Sequence, residues 1–321
     1  MISTSTARPP VSPPLALSAE AFAQAFGENE QALPGEALDL VETTDFSYET
    51  LSQPEREQVV LGVLQKIEAR TFQKVGEHRK GTWERGWQEN LDAFADQGLE
   101  SLVPRFMRPS QIVRLNQQYV RVHNPKFELD FLSVLRFWLF RRYLAGADAV
   151  YEFGCGSGYN LVALAQLYPE CELCGLDWAE TAVELVNRLG ETHHLRLKGR
   201  RFDFFRPDDL LEFGAGSVVL TMAALEQVGS RHGKFIDFLL RQRPHLVVNV
   251  EPLHELYDPA ILADYLALRY HTERGYLQGY LTRLRELEAE KRIEILQTQR
   301  TRFGSLFHES YSIVVWRPLS V

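Results

Sequence analysis

The sequence VYEFGCGSGYN, residues 150–160, contains three glycines at alternate positions directly after a short apolar run. The run predicts a buried strand that ends in an acidic residue, and a helix is predicted to open at Asn160. Glycine has no Cβ and tolerates unusual backbone dihedrals, so a turn built from glycines lets the backbone approach a ligand closely. The helix that follows would point free N–H groups and a partial positive charge at that ligand. We therefore expect a ligand with a carboxylate, a phosphate or a similar polar head.

The glycine spacing argues against two common nucleotide sites. The dinucleotide pattern G-x-G-x-x-G would need its third glycine at Tyr159 or at Leu161, and a phosphate-binding loop would need a Gly-Lys-Ser/Thr sequence that does not follow. The stretch instead resembles motif I of class I S-adenosylmethionine-dependent methyltransferases. The resemblance implies S-adenosylmethionine as cofactor. It assigns cofactor-binding roles in this stretch to Glu152, Gly154, Cys155, Gly156, Gly158 and Asn160.

Two further acidic residues extend the resemblance. A second short apolar strand ends in Asp177, about 20 residues beyond the glycines, where an acid can accept hydrogen bonds from both ribose hydroxyls. Trp178 follows it, and we expect its ring to pack on the adenine. In the family, a later acid receives the adenine amino group and the next backbone amide faces the ring, and Asp203 and Phe204 match that place. Agreement at three strand ends is a much stronger signal than a glycine loop alone.

Residues 147–321 alternate predicted strands and helices, as a parallel sheet with crossover connections should. A helical pattern over 259–292 is expected to divide at Gly275 and Gly279. Two last strands, 293–302 and 311–316, predict an antiparallel hairpin. The resulting fold class is α/β: a Rossmann-like, seven-stranded, mostly parallel sheet with a C-terminal antiparallel hairpin, preceded by a helical N-terminal region.

The predicted organisation has three parts. Residues 1–19, with four prolines, are expected to form a disordered tail. Residues 20–146 are expected to form a helical cap or substrate region, and residues 147–321 the S-adenosylmethionine-binding domain. Within the cap, apolar residues recur at helical spacing. Its candidate substrate contacts are the segment 83–90, Arg105, Arg108, Arg114 and the polar run 116–119, although the tryptophans could equally be core and the arginines solvated.

The loops after the fourth and fifth predicted strands should flank the reacting centre, because ligands bind at the carboxyl ends of the strands in open α/β sheets. Thr221 and Met222 match the family positions at the methionine end of the cofactor. His254 is the first candidate for a catalytic base, because a histidine titrates near neutrality. Glu226 and Glu251 are the other catalytic candidates, and they could instead bind a cationic acceptor or order the loop. The alternative for His254 is an ordinary surface histidine.

A metal-dependent reaction is not expected. Glu251, His254 and Asp258 could suggest a metal site, but the strand-end pattern of the metal-dependent, catechol-type methyltransferases is not evident. Cys171 and Cys174 have the spacing of a metal or redox pair. No second pair accompanies them, so we interpret both as structural residues of a strand.

The composition favours a small-molecule partner. The chain carries 35 Lys and Arg against 43 Asp and Glu, a net charge of −8, which disfavours a broad grip on nucleic acid. No apolar run approaches the ~20 residues that span a bilayer, so no membrane partner is expected. Three cysteines and the lack of a signal-peptide pattern predict a cytoplasmic location. The sequence leaves open whether the protein forms a homo-oligomer.

Three functions remain open from the sequence. The first is a methyltransferase that acts on a small polar metabolite, such as a sugar or a natural-product intermediate. The second is an RNA or protein methyltransferase, for which Lys198, Arg200, Arg201 and Arg206 could contact phosphate. The third is a partner protein that binds S-adenosylmethionine without catalysis.

Overall fold

The structure, a computed structural model, describes residues 14–105 and 107–319. Strands in these ranges form two separate sheets. In chain order they are β1 (Leu15–Ala16), β2 (Ser47–Thr50), β3 (Ile112–Leu115), β4 (Gln118–Val122), β5 (Ala149–Phe153), β6 (Glu172–Asp177), β7 (Leu197–Arg201), β8 (Ser217–Met222), β9 (Leu246–Glu251), β10 (Ile293–Gln299), β11 (Phe303–Gly304) and β12 (Ser312–Pro318).

From β5 to β9 the strands are connected by α-helices except between β7 and β8, and two consecutive helices then precede the last three strands. The long helical pattern near the C-terminus divides between Arg274 and Tyr280, as the two glycines predicted. In chain order the helices are α1 (Ala19–Ala25), α2 (Gly35–Thr43), α3 (Gln53–Glu68), α4 (Lys80–Gln97), α5 (Phe127–Leu139), α6 (Tyr159–Leu167), α7 (Glu180–Thr192), α8 (Gly233–Gln242), α9 (Leu262–Arg274) and α10 (Tyr280–Ala289).

The larger sheet confirms the predicted fold class. Its seven strands lie in the order β10-β12-β9-β8-β5-β6-β7. β12 runs antiparallel to both of its neighbours, and the other pairings are parallel. The chain leaves β5 in one direction to form β6 and β7, and in the other to form β8 and β9. Such a reversal opens a crevice at the carboxyl ends of the two central strands, where α/β sheets bind ligands.

Apolar cores cover both faces of this sheet, which explains why its central strands are buried. Every residue of β9 is buried, as expected for a strand covered on both sides. One core joins the sheet to aromatic residues of α1 and α5, including Phe22, Phe131 and Trp138. The opposite core is built around Phe153 and its neighbours. The first core crosses the predicted boundary at residue 146 without interruption.

The N-terminal region contains a sheet as well as helices, which corrects the expectation of a purely helical region. The order of this antiparallel sheet is β1-β2-β4-β3-β11. The first two residues of the polar run 116–119 make the turn between β3 and β4, where Asn116 and Gln117 both have positive φ values, 49° and 62°, and the other two begin β4. Two consecutive residues of this kind suit a tight hairpin whose twist matches its strands. A turn therefore explains the polar run that the sequence offered as a substrate contact.

The C-terminal strands also differ in one respect from the prediction. β10 and β12 pair as antiparallel neighbours, as expected. The connection between them is not a tight turn, because β11 leaves the larger sheet and pairs with β3 of the smaller one. The region between the two strands therefore joins both sheets.

The expected disordered tail, residues 1–19, includes residues that have regular structure. Residues 1–13 lie outside the described part of the chain. β1 pairs with β2, and the side chain of Ser18 accepts a hydrogen bond from the amide of Ala21 at the start of α1. This N-cap begins regular structure before residue 20. No helix in the described ranges is long and apolar enough to cross a membrane.

Candidate functional site

The glycine loop between β5 and α6 adopts a conformation that requires glycine. Gly154, Gly156 and Gly158 have positive φ values of 75°, 53° and 76°. A Cβ placed on Gly154 would lie 2.4 Å from the Cβ of Ala224, and one on Gly156 would lie 2.6 Å from Cζ2 of Trp87. The loop therefore leaves bare backbone at the carboxyl end of β5, as the sequence predicted.

A cavity opens over this loop. Its walls come from the ends of β5, β6 and β8 and from the N-terminal region, and its free space, including the open mouth, is about 1010 Å³. Among the predicted cofactor residues, the cavity is lined by Glu152, Gly154, Cys155, Gly156, Asn160, Asp177, Trp178, Phe204 and Met222.

Glu152 lines the cavity and uses only one of its two carboxylate oxygens in a hydrogen bond within the described chain. Asn160 Nδ2 donates to its Oε1 at 2.6 Å, and its buried Oε2 has no hydrogen-bond partner in the described chain. Burial raises the pKa of this carboxyl to about 8, against the opposing effects of Asn160 and of the Arg136 guanidinium. An unsatisfied buried acceptor is costly. Glu152 is therefore suited to a ligand that brings a positively charged or hydrogen-bond-donating group.

Asp177 joins the glycine loop to the start of the next helix. Its carboxylate accepts hydrogen bonds from the amides of Gly156 at 3.1 Å and Ala179 at 2.9 Å. Burial raises its pKa to about 6, although these amides favour the charged form. The adjacent Trp178 also lines the cavity, with its ring centre 6.0 Å from that of Phe205. Acid and aromatic ring thus lie together, as predicted.

Asp203 does not line the cavity, in contrast to the prediction. β7 ends at Arg201, so Asp203 falls in the turn beyond the strand. Its carboxylate accepts from the amide of Phe205 at 2.9 Å and lies 3.5 Å from Arg206. An Asp in a turn often bonds to the amide two residues later. Phe204 and Phe205 form the cavity wall in its place.

Thr221 is also absent from the cavity wall. Its side chain is fully buried, and its hydroxyl accepts from Asn249 Nδ2 at 2.9 Å. Met222, the next residue, lines the cavity and lies 3.6 Å from Asn160 Nδ2 through its sulfur. Successive residues of a strand point to opposite faces, and so only one of the two can reach the site. Gly158 shapes the loop but likewise does not line the cavity.

The structure does not bring the three predicted catalytic residues into the cavity wall. Glu251 is fully buried and accepts from the amides of Ala224 and Leu225, both at 3.1 Å, and from that of Glu226 at 3.3 Å. It therefore holds the loop after β8 in place, the ordering role that the sequence left open. Burial and the nearby Glu226 raise the pKa of Glu251 to about 8.

The other two candidates lie behind the same loop. Glu226 accepts from Gln227 Nε2 at 2.8 Å, and burial raises its pKa to about 7. Gln227, rather than Glu226, lines the cavity. His254 is half-buried with its ring centre 6.0 Å from that of His271, and burial lowers its pKa. His254 is therefore neither in the cavity wall nor fully exposed on the surface.

Tyr311 is a cavity residue that sequence reasoning missed. Its side chain lines the cavity at the start of β12, and its hydroxyl donates to Glu128 Oε1 of α5 at 3.0 Å. Burial raises the pKa of the Glu128 carboxyl and that of the Tyr311 hydroxyl. The two residues are separated by most of the chain, and no local spacing could have linked them.

Helix α4 forms the outer wall of the cavity. Trp83 and Trp87 line it, with ring centres 5.8 Å apart. The carboxylate of Glu84 accepts from the amides of Glu180 at 3.0 Å and Thr181 at 2.9 Å, at the start of α7. An acid there satisfies free amides and complements the helix dipole. These contacts hold α4 against the cavity. Within the segment 83–90, the two tryptophans therefore pack against each other and also line the cavity.

The remaining N-terminal candidates lie elsewhere. Arg105 forms an exposed ion pair with Glu89 at 3.0 Å. Arg114 is fully buried and belongs to an ionic network away from the cavity. The described residues contain no group of three His, Cys, Asp or Glu placed to hold a metal ion.

Comparisons with known proteins give similarity in fold only. No family model matches the chain, and no curated protein matches it. The cyclase SpnF is 16% identical over 58% of this chain and 80% of its own, with a TM-score of 0.45. An O-methyltransferase from a trans-AT PKS multienzyme of Brevibacillus brevis, in complex with S-adenosyl-L-homocysteine, is 14% identical over 56% of this chain and 69% of its own, with a TM-score of 0.40.

A further similar structure is NcsB1, an O-methyltransferase from neocarzinostatin biosynthesis in complex with S-adenosylmethionine and 2-hydroxy-5-methyl naphthoic acid. It is 18% identical over 74% of this chain and 70% of its own, with a TM-score of 0.39. The seven-stranded, mostly parallel sheet with its antiparallel β12 is the fold class that the sequence predicted.

Proposed function

We propose that the protein is an S-adenosylmethionine-dependent methyltransferase that acts on a small polar metabolite. One observation carries the proposal: a glycine loop at the switch point of the sheet has Glu152, with an unpartnered buried oxygen, on one side and Asp177 on the other. A ligand with a cationic amino group at one end and a ribose further along would satisfy both acids. The residues present therefore fit the cofactor that the sequence implied.

The cofactor residues divide into two groups along the cavity. Glu152 and Asn160 would hold the amino-acid end, and Asp177 would accept from ribose hydroxyls. Trp178 and Phe204 would enclose the adenine between aromatic surfaces. Asp203, which caps its own turn, would act on this part of the site only through the position of Phe204 and Phe205.

The cofactor, when bound, supplies a methyl group on a sulfonium centre that is reactive toward nucleophiles. The chain must hold the acceptor in line and keep water away. The cavity residues available to orient the acceptor and exclude water are Met222, Gln227 and Tyr311. Where the acceptor loses a proton, we propose that Tyr311 passes it to the buried Glu128 carboxylate, to which its hydroxyl already donates. Glu251 would position the loop that carries Gln227.

A small acceptor is favoured because the N-terminal region covers the cavity. Trp83 and Trp87 of α4 form its outer wall. RNA or a protein chain would need an open, extended surface at the mouth, and basic groups there would have to be free. Arg200, Arg201 and Arg206 are instead paired with Asp208, Glu180 and Glu77. We retain the cytoplasm as the proposed location, on the ground that the three cysteines are all free thiols.

Calorimetric titration with S-adenosylmethionine and S-adenosylhomocysteine tests the binding step. We expect saturable, one-to-one binding of both. Methyl transfer from isotope-labelled S-adenosylmethionine is then followed in a pool of small metabolites, with total RNA and a protein extract as separate acceptors. Label in a small molecule supports the proposal, label in RNA or protein assigns the substrate to a macromolecule, and binding without any transfer favours a non-catalytic partner protein. A lack of binding contradicts the whole assignment.

A further inference from the structure

Three segments converge behind the part of the cavity wall that Gln227 and Val228 form. They are the stretch at 75–79, the end of the loop after β8 at Gly229, and the C-terminal end of α9. A Cβ on Gly229 would lie 2.7 Å from the carbonyl oxygen of Gly275 and 3.6 Å from Cγ2 of Val75. The amide of Val75 also donates to the carbonyl of Arg274 at 2.9 Å. The three segments are therefore in direct contact.

Two of these segments each bring an arginine to the same place. Arg79 Nη1 donates to Gln227 Oε1 at 2.8 Å, and its Cζ lies 5.1 Å from the ring centre of Trp83. Gln227 and Trp83 both line the cavity. Arg274 Nη2 donates to the hydroxyl of Tyr276 at 3.1 Å. Both arginines are half-buried, and the buried Nε of each has no hydrogen-bond partner within the described ranges.

The nearby acids neutralise these arginines only in part, because the one carboxylate of Glu226 is shared between them and favours the charged form of both. Glu77, two residues before Arg79, is paired with Arg206 at 2.8 Å and Arg231 at 3.0 Å. Glu226 makes its hydrogen bond with Gln227 instead. In the parts of the chain that the structure describes, neither Arg79 nor Arg274 has a carboxylate oxygen within 4.0 Å, the limit for an ion pair.

Electrostatics support the closeness of the two arginines. Burial lowers the pKa of Arg79, and the positive charge of Arg274 lowers it further. Burial opposes the charge of Arg274 as well, but Tyr276, Tyr270 and Glu226 outweigh it and raise the pKa of Arg274. Burial raises the pKa of Glu226 to about 7, so near neutral pH this acid is only partly charged. Two partly desolvated cations with an incomplete counter-charge are unfavourable. An anion bound between them would relieve both costs.

We propose that Arg79 and Arg274, together with Gln227, form an anion-binding subsite that takes a carboxylate or phosphate group of the acceptor. Guanidinium groups recognise both anions through paired N–H donors. Gln227 is the link, because it contacts Arg79 and also lines the cavity. The identification of the bound anion as a methyl acceptor depends on the proposed function, whereas anion binding itself does not.

The test uses the full chain with inorganic phosphate and benzoate as separate probes. Thermal unfolding is followed at increasing probe concentration, with ionic strength held constant by chloride. We expect a saturable rise in Tm with at least one probe; a response to phosphate alone assigns a phosphate group, and a response to benzoate alone a carboxylate. No saturable response to either probe overturns the proposal.

The variants Arg79→Gln and Arg274→Gln should each weaken the apparent affinity for the effective probe at least tenfold. The matched control is Arg85→Gln, an exposed arginine on α4, which should change it less than twofold. Arg79→Lys keeps a charge without the paired donors and should give an intermediate loss. Equal responses from the two subsite variants and the control overturn the proposal.

Titration with S-adenosylhomocysteine distinguishes this proposal from the proposed function. The subsite variants should bind it as the unchanged chain does, within twofold, which also shows that they are folded. Anion binding without S-adenosylhomocysteine binding contradicts the proposed function and leaves the subsite. S-adenosylhomocysteine binding without anion binding contradicts the subsite alone.

Discussion

The indole ring of Trp87 lies directly against the backbone of Gly156, so that a Cβ on this glycine would come within 2.6 Å of Cζ2. One partner belongs to α4 in the N-terminal region, and the other to the glycine loop of the sheet. The loop and the helix that covers the cavity are thus fitted to each other. A substitution at either position should therefore alter ligand binding at the site.

We expect Gly156→Ala to weaken S-adenosylhomocysteine binding at least tenfold and to lower Tm. The new methyl group collides with Trp87, and a positive φ of 53° costs about 1–2 kcal/mol for a residue with a Cβ. Calorimetric titration and thermal unfolding measure the two effects. Gly146→Ala is the matched control, because φ is 78° there but no heavy atom lies within 4 Å. The control should lower Tm without weakening binding; an equal loss of affinity in both variants contradicts the fitted contact.

Asp177→Asn should weaken S-adenosylhomocysteine binding at least tenfold. The substitution replaces a carboxylate, which would accept hydrogen bonds from the ribose hydroxyls, with an amide whose NH2 group can only donate. Asp203→Asn should change the affinity less than threefold, since Asp203 lies outside the cavity wall and caps its own turn. Calorimetric titration of both variants measures the difference. The reverse order of effects would restore the sequence-based role of Asp203 and contradict the site as the structure has it.

The contribution of Glu152 to stability should fall as pH rises from about 4.5 to about 8. The pKa of Glu152 is raised from 4.5 to about 8 in the folded chain, so the unfolded chain loses this proton first and the folded state loses stability across that window. The pKa of Glu251 is raised to about 8 as well and acts in the same direction. Urea unfolding from pH 5 to pH 8 should show that the free energy of unfolding changes less favourably with pH in the unchanged chain than in Glu152→Gln, by about 3–4 kcal/mol. The buried His271 and His308, whose pKa values are lowered, act in the opposite direction in both proteins and so cancel in the comparison. An unchanged slope in this variant would show that Glu152 is already charged in the folded protein.

Arg114→Met should lower the free energy of unfolding by about 3–5 kcal/mol, the typical cost of removing one member of a buried ion pair. Arg114 Nη2 lies 3.4 Å from Asp264, and Arg114 Nη1 donates to the carbonyl of Ala263 at 2.7 Å. Urea unfolding measures the loss. Arg317→Gln is the control, because its ion pair with Glu294 is exposed and should contribute at most about 1 kcal/mol. Similar losses in the two variants would mean that the buried network adds no special stability.

The parts of the site that the sequence predicted are those fixed by local pattern. The glycine spacing determines the loop after β5, and the acids at the ends of β5 and β6 follow directly from the strands. Asp203 lies outside the cavity wall because β7 ends at Arg201, and the acid then forms a turn of its own. Strand ends are set by pairing with a neighbouring strand, and that information lies outside the local sequence.

The parts that the sequence missed depend on contacts between distant segments. Tyr311 reaches the cavity only because β12 inserts between β9 and β10 and approaches α5, where Glu128 receives its hydroxyl. Glu251 looked catalytic from its position after a central strand, but the amides that it accepts from belong to the loop after another strand. The smaller sheet was missed because its strands are short and one of them, β11, comes from the far end of the chain.

The pairing of β11 with β3 means that neither half of this protein can be complete without the other. A polypeptide starting near residue 147 would keep the larger sheet but leave β11 without a neighbour, and one stopping there would leave β3 as a bare strand edge, open to self-association. Replacement of the covering region would therefore also require changes in the chain around β11. Changes in what the protein accepts should instead arise by substitution within an interlocked pair.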